Sequence, residues 1–191
     1  MLKVYNKIKT IYKLNMFKRN SMCCSDLVVH KHSYCVADKQ NLIRIGRQCE
    51  IYGGLISQEE GKIIIGDNTI IHSDYIIGSV CSVSIGNCVI ISNNIHIYDN
   101  NNHPIDPKVR ERMHKENYYG EKWKWKYSDS KSIVIEDNVW IGERSTILKG
   151  VIIGKGSIVA SNSVVTKDVP TYSIVAGNLA RVVKKMENKY E

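Results

Sequence analysis

The chain has 191 residues, 43% of them hydrophobic, and a formal net charge of +8. That length suits one domain with a sizeable core, and the absence of a long apolar run argues against a bilayer-spanning helix. The charge excess is concentrated at the start, where Lys3, Lys7, Lys9, Lys13, Lys18 and Arg19 occur with no acid among the first twenty residues; it belongs to a tail, and no nucleic-acid partner is expected.

Taken in order, Leu2, Tyr5, Ile8, Tyr12 and Met16 recur at helical spacing opposite the lysines and predict a basic amphipathic helix within residues 1–22. Its expected role is to cap the open end of the fold that follows; a peripheral contact with an anionic membrane face is the alternative. Lysines interrupt any continuous apolar stretch of a leader peptide. Cys23, Cys24, Cys35, Cys49, Cys81 and Cys88 show neither CxxC zinc spacing nor the density of a disulfide scaffold, so they read as reduced thiols of a cytoplasmic protein.

From Ile45 a six-residue beat appears. IGRQCE begins it, IGDNTI follows at Ile65, and Ile71, Ile77 and Val83 keep step; a two-residue slip restarts it at Ile85, with Ile91 and Ile97 next. The slips read as small bulges at coil corners, and Gly53, Gly54 and Gly61 mark a wider turn. Residues 98–132 then lose the beat. This polar excursion carries two of the three prolines together with Tyr118, Tyr119, Trp123, Trp125 and Tyr127, and so long a loop in a compact domain calls for a functional reason.

Beyond it Ile135, Ile141, Ile147, Ile153, Val159 and Val165 fall six apart, and Val139, Ser145, Val151, Ser157, Ser163 and Val169 each follow four residues later. Neither a helical period nor plain alternation produces this, whereas a hexapeptide β-solenoid does. The expected fold is therefore an all-β solenoid forming one domain over 1–191, with coils at 45–97 and 133–170. Gly142, Gly150, Gly154 and Gly156 fall where the chain bends or approaches its neighbours. Residues 171–191 read as a turn and a short basic closing helix or tail.

The stretch VWIGERSTILKGVIIGKGSIVASNSVVTKDV, followed by YSIVAGNLARVV, resembles the C-terminal half of the hexapeptide-repeat acyltransferases. The resemblance implies a left-handed parallel β-helix, a homotrimer with clefts between subunits, and acetyl-CoA as co-substrate without a metal. His103 in NNNHPID resembles the HP-type histidine of galactoside and maltose acetyltransferases, which in that family is the catalytic base. Histidine suits the role because its ordinary pKa lies near working pH. Pro104 restrains the backbone before it, and Asp99, Asn101 or a nearby carbonyl would hold the second ring nitrogen.

By the same resemblance the coenzyme site runs along Trp140, Gly142, Ala160, Ser161, Thr166 and Lys167, then Arg181 and Lys184 for phosphates. His72 and Asp99 are candidates for the acceptor, and Trp123 and Trp125 either floor a sugar site or pack the loop onto the coil. Glu143 after WIG and Leu179 in place of the proline of a GNPA turn depart from the family pattern. The activity implied is O-acetyl transfer directly to a sugar hydroxyl, such as that of a cell-surface polysaccharide or its precursor. Three alternatives stay open: antibiotic acetylation, a γ-type carbonic anhydrase and a non-catalytic scaffold.

Overall fold

The computed structural model describes residues 11–12, 14–116 and 120–187. Each coil gives one short strand to each of three sheets, which form the walls of a three-sided prism. The first sheet runs from Met22–Cys23 to Ile152–Ile153, the second from Val28–Val29 to Arg181–Lys185, and the third from Tyr34–Ala37 to Val164–Val165. All pairings are parallel until the last, where Arg181–Lys185 folds back antiparallel on Ser173–Ala176. Where a closing helix or tail was expected there is a strand: Val182 and Val183 are β-branched, and the second sheet offers them an edge on which to pair.

The coils also begin earlier than Ile45. Strands at Met22–Cys23, Val28–Val29 and Tyr34–Ala37 form a first turn, and Cys23, Val29 and Cys35 are themselves six apart. Cysteine in the inward position disguised the beat; Cys35 and Cys49 are buried core residues, and burial pushes the Cys35 thiol up to about 12.

Both sequence positions of the repeat face inward. Ile141, Ile147, Ile153 and Val159 are fully buried, and so are Val139, Ser145, Val151, Ser157 and Ser163. Burying each large aliphatic contributes about 1.5–3 kcal/mol. A buried serine needs a partner, and Ser145 Oγ donates to the Ala160 carbonyl at 3.1 Å and Ser157 Oγ to that of Pro170 at 2.7 Å. Asn68, Asn94, Asn138 and Asn162 turn the corners at φ of 57–60°, a left-handed conformation that asparagine tolerates. Gly142 serves differently: a Cβ there would lie 2.6 Å from the Ser161 nitrogen of the next coil.

Register explains the slips. Ile43 pairs with Ile63 and Ile63 with Val83, giving twenty-residue coils, whereas Trp140 pairs with Ile158, an eighteen-residue coil. The extra residues sit at one corner, where the chain passes from the third sheet to the first, as between Ser57 and Lys62. The excursion leaves from that same corner, between Tyr98 and Ile133, so Val83 pairs with Ile133 across it.

At the N-terminal end, residues 14–20 are helical, and Phe17, 1% exposed, closes the apolar column with Leu14 beside it. Asn20 Nδ2 donates to the Cys35 carbonyl at 2.7 Å and fixes the helix to the first coil. The predicted stripe is not the capping face: Tyr12 is 63% and Met16 37% exposed. Leu2, Tyr5 and Ile8 lie outside the described residues.

Candidate active site

The excursion is tied down at its root. Asp99 is fully buried, and its carboxylate accepts from Ser79 Oγ at 2.7 Å, from the Val80 and Cys81 nitrogens at 3.0 and 2.8 Å, and from Asn100 Nδ2 at 3.1 Å. Those bonds fasten the loop to the corner of the coil below, so Asp99 neither reaches an acceptor nor orients His103. Lys131 N donates to the Asp99 carbonyl at 2.8 Å and Asn101 N to that of Asp129 at 3.0 Å, which closes the loop's two ends.

Above this root, Asn102 adopts φ 66°, its N–H bonded to Asn100 Oδ1 at 2.8 Å, and His103 N donates to the Asn101 carbonyl at 2.7 Å. Pro104 is buried, and Arg110 Nη1 donates to the carbonyls of Pro104 and Ile105 at 2.8 and 2.6 Å. Arg110 sits on helix Pro107–Lys115, which starts where sequence chemistry says it should: Asp106 caps the Lys108 and Val109 nitrogens and Pro107 takes the first turn. Sequence reading passed over Arg110, although an arginine six residues after a proline carbonyl, across a capped helix start, was its available signal.

The His103 ring meets Trp123 edge-on, centroids 5.7 Å apart at 89°, and His114 meets the same indole at 5.2 Å and 88°. Trp123 Nε1 donates to the Met113 carbonyl at 3.3 Å, so the helix holds the indole and the indole holds the imidazole. His103 Nδ1 is buried and has no hydrogen-bond partner among the described residues. Trp125, expected at a sugar floor or in loop packing, does the second: it is 8% exposed, lies 5.0 Å from the Tyr98 ring, and sits over Gly78, where a Cβ would approach it to 2.8 Å. Tyr118 and Tyr119 lie outside the described residues.

A surface network clasps this segment to the neighbouring turn. Lys124 and Lys126 reach Glu121 at 2.7 and 2.5 Å and Glu59 at 3.6 and 3.2 Å. Hydrogen bonds from Lys124 and Lys126 hold the Glu121 carboxyl down at about 2.

The coenzyme candidates fall into two groups. Trp140, Gly142, Ala160 and Ser161 stack at the corner between the second and third sheets. Trp140 is 49% exposed, with Nε1 donating to Ser92 Oγ at 3.4 Å. Thr166 and Lys167 lie at the other edge of the third sheet, where Lys167 shares a cleft with Arg181, Asp168 and Ala180. Lys184 lines a different cleft with Lys185 and Met186. Glu143 is paired with Arg144 at 3.2 Å. Leu179 lies in a turn held by Ala180 N on the Val164 carbonyl at 2.9 Å.

His72 belongs to the column of Gly142 and Ala160, two and three coils below them, and not to the corner from which His103 departs. His96 packs on Tyr98 at 4.3 Å, and burial pushes its pKa down. No grouping of three His, Cys, Asp or Glu among the described residues would hold a metal ion.

A prism of stacked six-residue repeats with a histidine-bearing loop at one corner defines a class, and residues 132–167 match the family described as bacterial transferase hexapeptide (six repeats). Among its relatives is an Escherichia coli K12 protein provisionally named as the lipopolysaccharide biosynthesis O-acetyltransferase WbbJ, 33% identical over 129 residues, which are 68% of this chain and 63% of that one. The chain thus spans less than two thirds of that relative's length.

Similar solved structures include the following two. The polysialic-acid-specific acetyltransferase NeuO is 27% identical with a TM-score of 0.65, covering 90% of this chain and 72% of that one. The hexapeptide-repeat acetyltransferase VCA0836 of Vibrio cholerae, complexed with acetyl coenzyme A, is 27% identical with a TM-score of 0.59, covering 93% and 76%.

Proposed function

We propose that the chain is an O-acetyltransferase that moves acetyl from acetyl-CoA directly to a sugar hydroxyl, on a cell-surface polysaccharide or its precursor. The observation that carries it is the state of His103: backbone tethered through Asn101, ring fixed by Trp123, and Nδ1 left without a hydrogen-bond partner among the described residues. The imidazole takes the hydroxyl proton as the oxygen attacks the thioester carbonyl carbon. The tetrahedral adduct then collapses, the carbon–sulfur bond breaks, and the departing thiolate receives that proton. The coenzyme lies along Trp140, Gly142, Ala160 and Ser161, with Thr166, Lys167, Arg181 and Lys184 toward its phosphates; the relative complexed with acetyl coenzyme A supports this donor.

His103 and the Trp140 column occupy different corners of the prism, so a cleft built from both requires a second copy of the chain, as a homotrimer supplies. Labelled acetyl-CoA offered with a panel of sugars and oligosaccharides tests the reading: transfer to a hydroxyl is expected. Transfer to none of them, with hydrolysis or carbonic anhydrase activity instead, would overturn it.

The N-terminal helix favours peripheral contact at the inner face of a membrane. Tyr12 and Met16 are exposed on a segment rich in lysine and free of acid, the pattern of an interfacial helix. Among the described residues no helix is long and apolar enough to cross a bilayer. Cosedimentation with anionic vesicles, and none with neutral ones, is expected; equal recovery with both would refute the contact.

A further inference from the structure

The corner between the second and third sheets carries one residue per coil in a continuous vertical line: His30, Tyr52, His72, Ser92, Gly142 and Ala160. Each follows a buried aliphatic, and each backbone nitrogen donates to the carbonyl of the aliphatic in the coil above, from His30 N on Ile51 at 3.0 Å to Gly142 N on Val159 at 2.7 Å. The line changes character half-way. Its upper rungs are small and leave room beside the wall, whereas its lower three are rings.

Those rings form a stack. His30 and Tyr52 lie 3.4 Å apart at 11°, and Tyr52 and His72 5.9 Å apart at 30°. Because they face one another along the prism axis, it is their polar edges that an outside molecule meets. Tyr52 Oη donates to Glu50 Oε2 at 3.1 Å; that oxygen is 3.9 Å from His30 Nε2, which is buried and has no hydrogen-bond partner among the described residues. At the top of the stack, Ser92 Oγ accepts from Trp140 Nε1.

We propose that this stack is a binding track for the sugar units adjoining the one that is acetylated, so that the acceptor is an oligosaccharide chain lying down the same corner on which the coenzyme lies above. The proposal rests on the acetyltransferase reading. Three steps of about 4.8 Å between strands separate Ser92 from His30, a span of several linked residues rather than one. The track offers what a hydroxyl-rich chain needs: phenol, carboxylate and imidazole edges at successive heights. Glu50 makes an uncharged saccharide the matching class, since a carboxylate there repels an acidic sugar.

Calorimetric titration of the full chain with maltose-, cellulose- and chitin-series oligosaccharides of one to six units, without acetyl-CoA, tests it. Affinity in at least one series is expected to rise with length up to about four units, and Tyr52→Ala to remove that rise with a loss of about tenfold for the longer members, while acetyl-CoA affinity stays unchanged. Tyr52→Phe keeps the ring, controls for disturbance of the coil, and should lose less. Length-independent affinity in every series, no binding at all, or a length dependence untouched in Tyr52→Ala overturns the track. Length-dependent binding through Tyr52 without acetyl transfer to any bound chain would leave the track standing and refute the transferase reading instead.

Discussion

An imidazole serves as a base when its ring is aimed, and at His103 the aim comes from an indole edge. Replacing His103 with Ala is expected to leave the melting curve and acetyl-CoA affinity in place and lower turnover by at least about 10²-fold. Trp123→Ala should lower kcat with little change in the KM for acetyl-CoA, and Trp123→Phe should recover part of it, because the aromatic edge contact is retained. A Trp123→Ala enzyme with unaltered kcat and a raised acceptor KM would make Trp123 a sugar floor after all. His103 was legible in the sequence because it stands beside a proline at the mouth of an aperiodic segment. The role of Asp99 was not: a carboxylate four residues from a histidine reads as its orienting partner, and only the register of the coil below shows that Ser79, Val80 and Cys81 claim it. Trp123 and Trp125 look alike in WKW, yet one packs under His103 and the other on Tyr98.

At the scale of elements, the aromatic segment of the excursion is docked by exposed charges, which makes docking dependent on pH and salt. The Glu121 carboxyl sits at about 2 in the folded chain, below its ordinary 4.5. Its contribution is therefore present in full above the ordinary value and is lost as pH falls through the folded one. Tryptophan fluorescence followed from pH 6 downward should change between about 4.5 and 2, shrink in high salt, and lose this acid-dependent step in Glu121→Gln. A Glu121→Gln profile superimposable on the original would show that the clasp contributes nothing. The network joins Glu59 to residues more than sixty positions later in the chain, so no local pattern announced it. The solenoid strands were legible because their cause is local and repeats, except in the first coil, where cysteines stand in for aliphatics, and at the last strand, whose pairing partner lies back along the chain.

For the molecule as a whole, the prism is held by a column of aliphatics that every coil renews, and its corners differ in what they tolerate. The corner between the third and first sheets already holds two to four surplus residues in the lower coils and the entire excursion in another, yet Val83, Ile85, Ile133 and Ile135 pair across it in unbroken register. Wall and loop are thus separable units, and the corner acts as a socket into which segments of different length fit without disturbing the scaffold. Cutting residues 100–130 down to a turn of the length found between Ser57 and Lys62 should yield a chain with the same β-rich circular dichroism and a cooperative melt, but without acetyl transfer. A chain that fails to fold after this excision would show that the loop also builds the wall. The same property means that a foreign segment spliced into this socket inherits a rigid platform, so chemistry can be exchanged at one corner while the other two stay as they are.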